Sequence, residues 1–367
     1  MKPTSCEASL YRIPCRRVLQ NSAEKFSSYE YVIVRVGFSD GIEGVGWTYT
    51  QGKGGTAILH LLNDYFSKVI LSNGISDPKQ LYDSIYSATY SYGLEGVARL
   101  AYSAVDVAFW DALAKSRELP LYLLLGGSKG NTVRAYRSAI DLNITDEEAI
   151  SDIRRYKERG FGSFKIKVGR ADFDEDLRRI ETVKGVIGSD DVLMVDANRR
   201  WSVSEGVAKG RELERRGIFW LEEPIEAELF DGYCLLKNEL NMKVAAGESL
   251  YNRSDATRLI SGSCVDVIQL DILRIGGITE WMKFAQMAEV LGLPMAPHFS
   301  EEISVQALCA IRNGMFLEHL PGSNLHDSGF LLRSYSLKDG FGTPPNGAGH
   351  GIVFDFEKLE EVRQADS

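Results

Sequence analysis

VLMVDAN (residues 192–198), IFWLEEP (218–224) and KVAAGES (243–249) are short apolar runs, each leading into an acid: Asp196, Glu222 and Glu248. The acids are evenly spaced, since 222 − 196 = 26 and 248 − 222 = 26. Asp271 in DVIQLD, His298 in LPMAPHF and Glu318 in MFLEHL extend the series at steps of 23, 27 and 20. One strand, one helix and two short loops take about that many residues in a repeating β/α unit. When such units close into a barrel, their C-terminal strand ends meet around one mouth, so these side chains are expected to face a common point.

Strand and helix patterns alternate from about Thr132 onward. Thr145 with Glu148, and Ser202 with Glu205, match the capping-box spacing that opens a helix. Eight strand candidates between Thr132 and Leu320 predict a parallel sheet closed into a barrel. Residues 1–128 read differently, as an α+β capping domain. Apolar alternation over 31–36, a turn at Ser39-Asp40-Gly41 and a second run over 45–49 predict a hairpin. Helices are expected over 56–71, 78–90 and 96–116, the last lined with small residues from Ala98 to Ala112. The barrel is expected over 129–339. The Gly-rich stretch 340–351 lacks the strand–turn–helix context of a phosphate loop, so 340–367 is expected to return to the first domain.

A chain of 367 residues is long enough for a large barrel and a smaller domain. Its net charge of −9 argues against nucleic acid or an anionic membrane as a partner. The first fifteen residues show no apolar signal core, and the most apolar helix, 97–114, is broken by Arg99, Asp106 and Asp111. Five scattered cysteines with no CxxC pair predict reduced thiols in a cytoplasmic protein.

Three carboxylates converging on one mouth repel each other, so Asp196, Glu222 and Glu248 point to a bound cation. Oxygen donors with room left for water suit Mg²⁺ better than zinc. Lys165 and Lys167 in FKIKV lie two apart, hence on one face of a strand. Their neighbours Phe164, Ile166 and Val168 are apolar and face the helices, so the lysines point inward. Crowding by a cation is expected to lower a lysine's pKa towards that of a base. Asp271 beside His298 would fix the imidazole tautomer. Glu318 is expected to be a protonated acid able to donate a hydrogen bond, and His319 to point away. Lysine on one side and histidine on the other suits removal of a proton α to a carboxylate, with Lys165, Glu318 and the cation stabilising the enediolate.

The set KxK (Lys165, Lys167), DAN (196–198), EEP (222–224), GES (247–249), Asp271, His298 and Glu318 resembles the mandelate racemase subgroup of the enolase superfamily, over nearly the whole chain. The resemblance implies a modified TIM barrel, (β/α)₇β, with an N-terminal α+β capping domain completed by the C-terminal tail. It implies one Mg²⁺ per subunit on Asp196, Glu222 and Glu248. It further implies opposed bases Lys167 and His298–Asp271, and Lys165 and Glu318 on the substrate carboxylate. The run from Asp196 to Trp201 is similar to acid-sugar dehydratases, and 48–55 (TYTQGKGG) to a cap loop of cycloisomerases acting on anhydro-galactonate. That loop and the one near 21–26 are expected over the mouth, with Asn198, Tyr49, Thr50 and Lys53 as candidate substrate contacts. The expected activity is dehydration of an aldonate or aldarate to a 2-keto-3-deoxy acid. A racemase, epimerase or cycloisomerase using the same enediolate is the alternative, ahead of a two-metal hydrolase or a non-catalytic binding barrel. Subgroup likeness also implies a homodimer or octamer.

Overall fold

Three long antiparallel strands begin the chain: β1 (Pro3–Gln20), β2 (Lys25–Phe38) and β3 (Glu43–Thr50), in the order β1-β2-β3. This computed structural model describes residues 2–322 and 324–365. The β2–β3 hairpin is the one the alternation predicts, with Val34 opposite Gly46 and Gly41 supplying the positive φ of its turn. The expectation missed β1, whose eighteen residues carry several polar outward positions that blur its alternation.

Helical residues 55–73 follow, with a π-helical turn at Leu61–Phe66, then helices Pro78–Ala88 and Gly96–Ser116. The last lies against β3 because neither surface carries bulk. A Cβ at Gly46 would sit 2.0 Å from the Ala104 carbonyl oxygen, so only glycine allows this approach.

The second half is a barrel of parallel strands: β4 (Val133–Ile140), β5 (Ser163–Lys167), β6 (Val192–Asp196), β7 (Trp220–Glu222), β8 (Lys243–Ala246), β9 (Val267–Ile268) and β10 (Leu317–His319). β4 to β9 pair in sequence order and β10 returns to β4. The seventh position is a single residue: Met295 bridges to Ile268 on one side and Gly314 on the other. The barrel is thus a (β/α)₇β variant, its eighth strand followed by the return to the cap rather than by a packed helix. Both capping boxes form, opening helices Asp146–Glu158 and Val203–Arg215.

Strand alternation stacks the barrel interior in layers. Met194, Trp220, Ala296 and Phe316 each precede a candidate site residue by two, and with Tyr136, Ala245 and Val267 they form a buried apolar plug. The polar mouth sits on that plug.

The tail first continues the barrel side, since Phe341–Thr343 pairs with β4. It then reaches the cap: the Gly349 amide donates to the Leu119 carbonyl, and the buried His350 ring approaches the Val45 carbonyl at 2.9 Å. The cysteine expectation is corrected here. Cys234, in helix Phe230–Glu239, is joined to Cys264, while Cys6, Cys15 and Cys309 are free thiols. The partners are 30 residues apart and meet only because successive β/α units pack side by side, which no local spacing encodes. No helix among the described residues is long and apolar enough to cross a membrane.

Candidate active site

Register sets the level of the site. Lys167 on β5 lies opposite Asp196 on β6, and Asp196 opposite Glu222 on β7. Glu248 comes two residues after β8, beyond Gly247, whose φ of 139° and close approach to the 269–270 backbone exclude a side chain. One carboxylate oxygen from each of Asp196, Glu222 and Glu248 lies within 4.8 Å of the others, and all three residues are buried.

Lys165 reaches into this group, 2.5 Å from Glu222 Oε1, 2.8 Å from Glu318 Oε1 and 3.6 Å from Asp196 Oδ2. Lys167 pairs with Asp196. Four carboxylates therefore face two ammonium groups, leaving 4 − 2 = 2 negative charges in excess. Glu222 registers that excess. Burial first, opposed by Lys165 and reinforced by Asp196, Glu318 and Glu248, pushes its carboxyl well above the ordinary value. A divalent cation removes the excess, and an all-oxygen donor set with charge to spare fits Mg²⁺.

The ion pairs set the state of the lysines and of Glu318. Burial acts to lower both lysines, but the surrounding carboxylates win: Lys165 lies well above its ordinary value, and Lys167 is raised to about 12 with Asp196 as the leading partner. The expected lowering belongs to a site that holds the cation, which would take over the carboxylates that here pair with both lysines. Glu318 is likewise not a neutral acid. Burial raises it, yet Lys165, His298 and hydrogen bonds from Lys165 and the Phe299 amide bring it below the usual carboxylate range. It accepts from Ser138 Oγ at 2.7 Å and from Phe299 N at 2.8 Å. Asp196 is lowered too, burial being outweighed by Lys167 and Lys165.

On the far side, Asp271 follows β9 by three residues and caps the short helix Ile272–Ile275 through a 2.8 Å bond from the Leu273 amide to Oδ1. Its Oδ2 lies 2.9 Å from His298 Nδ1. A carboxylate oxygen accepts, so Nδ1 is assigned as the donor to Asp271, and Nε2 turns to the mouth, 3.5 Å from Glu248 Oε2. His319 points out of the barrel, held by Glu301 and Tyr156.

Asn198 is buried beside the acids, with its amide on Asp196 Oδ1 and no partner for its own Oδ1 among the described residues. Tyr49 is buried, and its hydroxyl is 2.6 Å from Asp271 Oδ2. Thr50 donates to Glu30, and Lys53 is exposed in the turn before the first helix. The loop at 21–26 does reach the mouth, where Ser22 Oγ donates to the Ala197 carbonyl at 2.5 Å.

The sequence reading missed several supporting residues. Gln269 Nε2 and Trp220 Nε1 both donate to Glu222 Oε2, at 2.7 and 3.1 Å, fixing one carboxylate oxygen and leaving Oε1 to the mouth. Both lie two residues before a candidate, so strand alternation was the available signal. Arg274, which donates to the Glu248 carbonyl, carried no such signal.

Residues 148–359 match the enolase C-terminal domain-like family, and residues 9–126 match the mandelate racemase / muconate lactonizing enzyme N-terminal domain. The chain is 30% identical to 3,6-anhydro-alpha-L-galactonate cycloisomerase of Streptomyces coelicolor, over 95% of this chain and 96% of that protein. It is 32% identical to arabinonate dehydratase of Saccharolobus solfataricus, over 91% of each. The structure of L-talarate/galactarate dehydratase from Salmonella typhimurium, liganded with Mg and L-lyxarohydroxamate, superposes with a TM-score of 0.92 at 28% identity. That likeness covers 99% of this chain and 93% of the other.

Proposed function

The chain belongs to the mandelate racemase and muconate lactonizing enzyme family of the enolase superfamily, and from that premise we propose that it dehydrates an acid sugar, an aldonate or aldarate, to a 2-keto-3-deoxy acid. It is a magnesium-dependent enzyme of lyase or isomerase type. In this reading residues 129–339 form the catalytic barrel, and residues 1–128 with the returning tail form the cap. The observation that carries it is the acid trio, which with Glu318 outnumbers the two lysines by two charges, flanked by Lys167 on one side and the His298–Asp271 pair on the other.

Asp196, Glu222 and Glu248 would hold Mg²⁺, which when bound neutralises charge growing on the substrate carboxylate. Lys165 would face the same carboxylate; Glu318 holds Lys165, and Ser138 in turn donates to Glu318. The base on one face, Lys167 or His298 Nε2, takes the α-proton in its neutral form, and the opposed group stands in its protonated form. The C–H electron pair moves into the carboxylate to give an enediolate. The group on the other face then gives a proton to the β-hydroxyl, which leaves as water, and the resulting enol tautomerises to the keto acid. Asn198, with an unsatisfied buried carbonyl oxygen, is a candidate to accept from a substrate hydroxyl. Cytoplasmic location and homo-oligomeric assembly belong to the same reading; the exposed Tyr86, Tyr90 and Tyr92, close in sequence on the cap, support the latter.

A second reading, cycloisomerisation, is favoured by the likeness to the anhydro-galactonate enzyme over nearly the whole of both chains. Incubating the Mg²⁺-loaded protein in D₂O with a panel of aldonates and aldarates separates the two by proton NMR. Keto-acid formation supports the dehydratase. Deuterium incorporation or a new isomer without keto acid moves the assignment to the isomerase.

A further inference from the structure

We propose that Tyr49 is a positioning residue for the His298–Asp271 pair, through which the cap domain aligns one of the two bases. The inference rests on the reading of that pair given above.

The contacts around Asp271 and the Tyr49 ring carry it. The Tyr49 hydroxyl lies 2.6 Å from Asp271 Oδ2, the same oxygen that receives His298 Nδ1 at 2.9 Å. With Leu273 N on Oδ1, the carboxylate is held by three donors, which fixes its plane and rotation. The Tyr49 ring also packs on Phe299, centroid to centroid 4.7 Å, so it touches the residue after His298. Tyr29 stacks on Phe299 from the same sheet at 5.2 Å, and the Arg274 guanidinium covers the Tyr49 ring at 5.2 Å. The ring therefore has no freedom to swing its hydroxyl elsewhere. Burial, opposed by Arg274 and reinforced by Asp271, keeps the phenol well above its ordinary value, so it remains an O–H donor.

Tyr49 lies near the end of β3 in the cap, 222 residues from Asp271, on the side of the mouth away from Lys167. An ordinary core tyrosine needs its hydroxyl satisfied by any acceptor. Here the acceptor is the one oxygen that orients the imidazole. A displaced cap would thus withdraw a donor from Asp271 while leaving Lys165, Lys167 and the acid trio, all carried by the barrel, in place.

The test is Tyr49→Phe, which keeps the ring packing and removes only the hydroxyl. With the Mg²⁺-loaded enzyme in D₂O, α-proton exchange is followed for substrate epimers at the α-carbon, and His298→Asn identifies the exchange that depends on His298. In Tyr49→Phe that exchange is expected to fall about ten- to hundred-fold, the usual effect of losing a hydrogen-bond partner behind a functional histidine. Exchange through Lys167 and KM are expected to stay within about twofold. A second readout does not involve turnover: the His298 Nδ1 proton, assigned by its loss in His298→Asn, is expected to broaden by solvent exchange in Tyr49→Phe. Equal loss on both faces, or no loss with an unchanged Nδ1 proton, overturns the assignment. Exchange that persists on both faces in His298→Asn overturns the base assignment itself, and the Tyr49 role with it.

Discussion

Glu222 shows how a single side chain is prepared for a cation. Trp220 and Gln269 occupy one of its oxygens, Lys165 contacts the other, and burial with nearby acids makes the free carboxylate costly. Glu222→Gln keeps the shape and removes the charge. Magnesium affinity by calorimetry and turnover are each expected to drop more than about tenfold; full retention of both would remove Glu222 from the ligand set. Glu302 offers a residue-scale test away from the mouth. It is fully buried, and burial followed by Glu301 raises its pKa from 4.5 to about 8. A raised folded pKa contributes stability that is complete below about 4.5 and lost as pH rises through 8. Glu302→Gln keeps an acceptor for the His326 amide and removes that slope. Its urea midpoint relative to wild type is therefore expected to be higher at pH 8.5 than at pH 5. No difference between the two pH values would show that Glu302 titrates normally.

At the scale of elements, the cap helix Gly96–Ser116 and strand β3 are spaced by glycine. Gly46→Ala places a methyl within 2.0 Å of a helix carbonyl, against backbone that cannot rotate away. Overpacking of this kind costs about 1–3 kcal/mol, read as a lowered chemical-denaturation midpoint; an unchanged midpoint would show that helix and strand can separate freely. Much of this scale was legible beforehand. Thr145 and Ser202 announced their helices because capping is a local bond between residues three apart. Lys165 and Lys167 announced their inward face because strand alternation is also local. β1 was not legible, because its polar outward residues weaken the pattern; the strand ahead of His298 was expected from its apolar run and forms only as the two bridges of Met295.

For the whole molecule, the Cys234–Cys264 link ties the helix after β7 to the approach to β9. Denatured protein is expected to show three titratable thiols before reduction and five after. Five at the outset would exclude the bridge. A loop of 30 residues also implies that reduction lowers stability by about 3–4 kcal/mol on the chain-entropy model. Magnesium binding is expected to survive reduction, since Cys264 lies before β9, at the opposite end from the mouth. What the sequence determined by itself was the barrel, its inward residues and the acids, lysines and histidine at its mouth. Those follow from periodicity, which each segment carries in its own few residues. Only the tertiary structure decided the ionised state of Glu318, the cysteine pairing and the attachment of Tyr49 to Asp271. Each of these depends on which charges and donors come within a few ångströms inside a low-dielectric interior, and the groups concerned arrive from segments up to 222 residues apart.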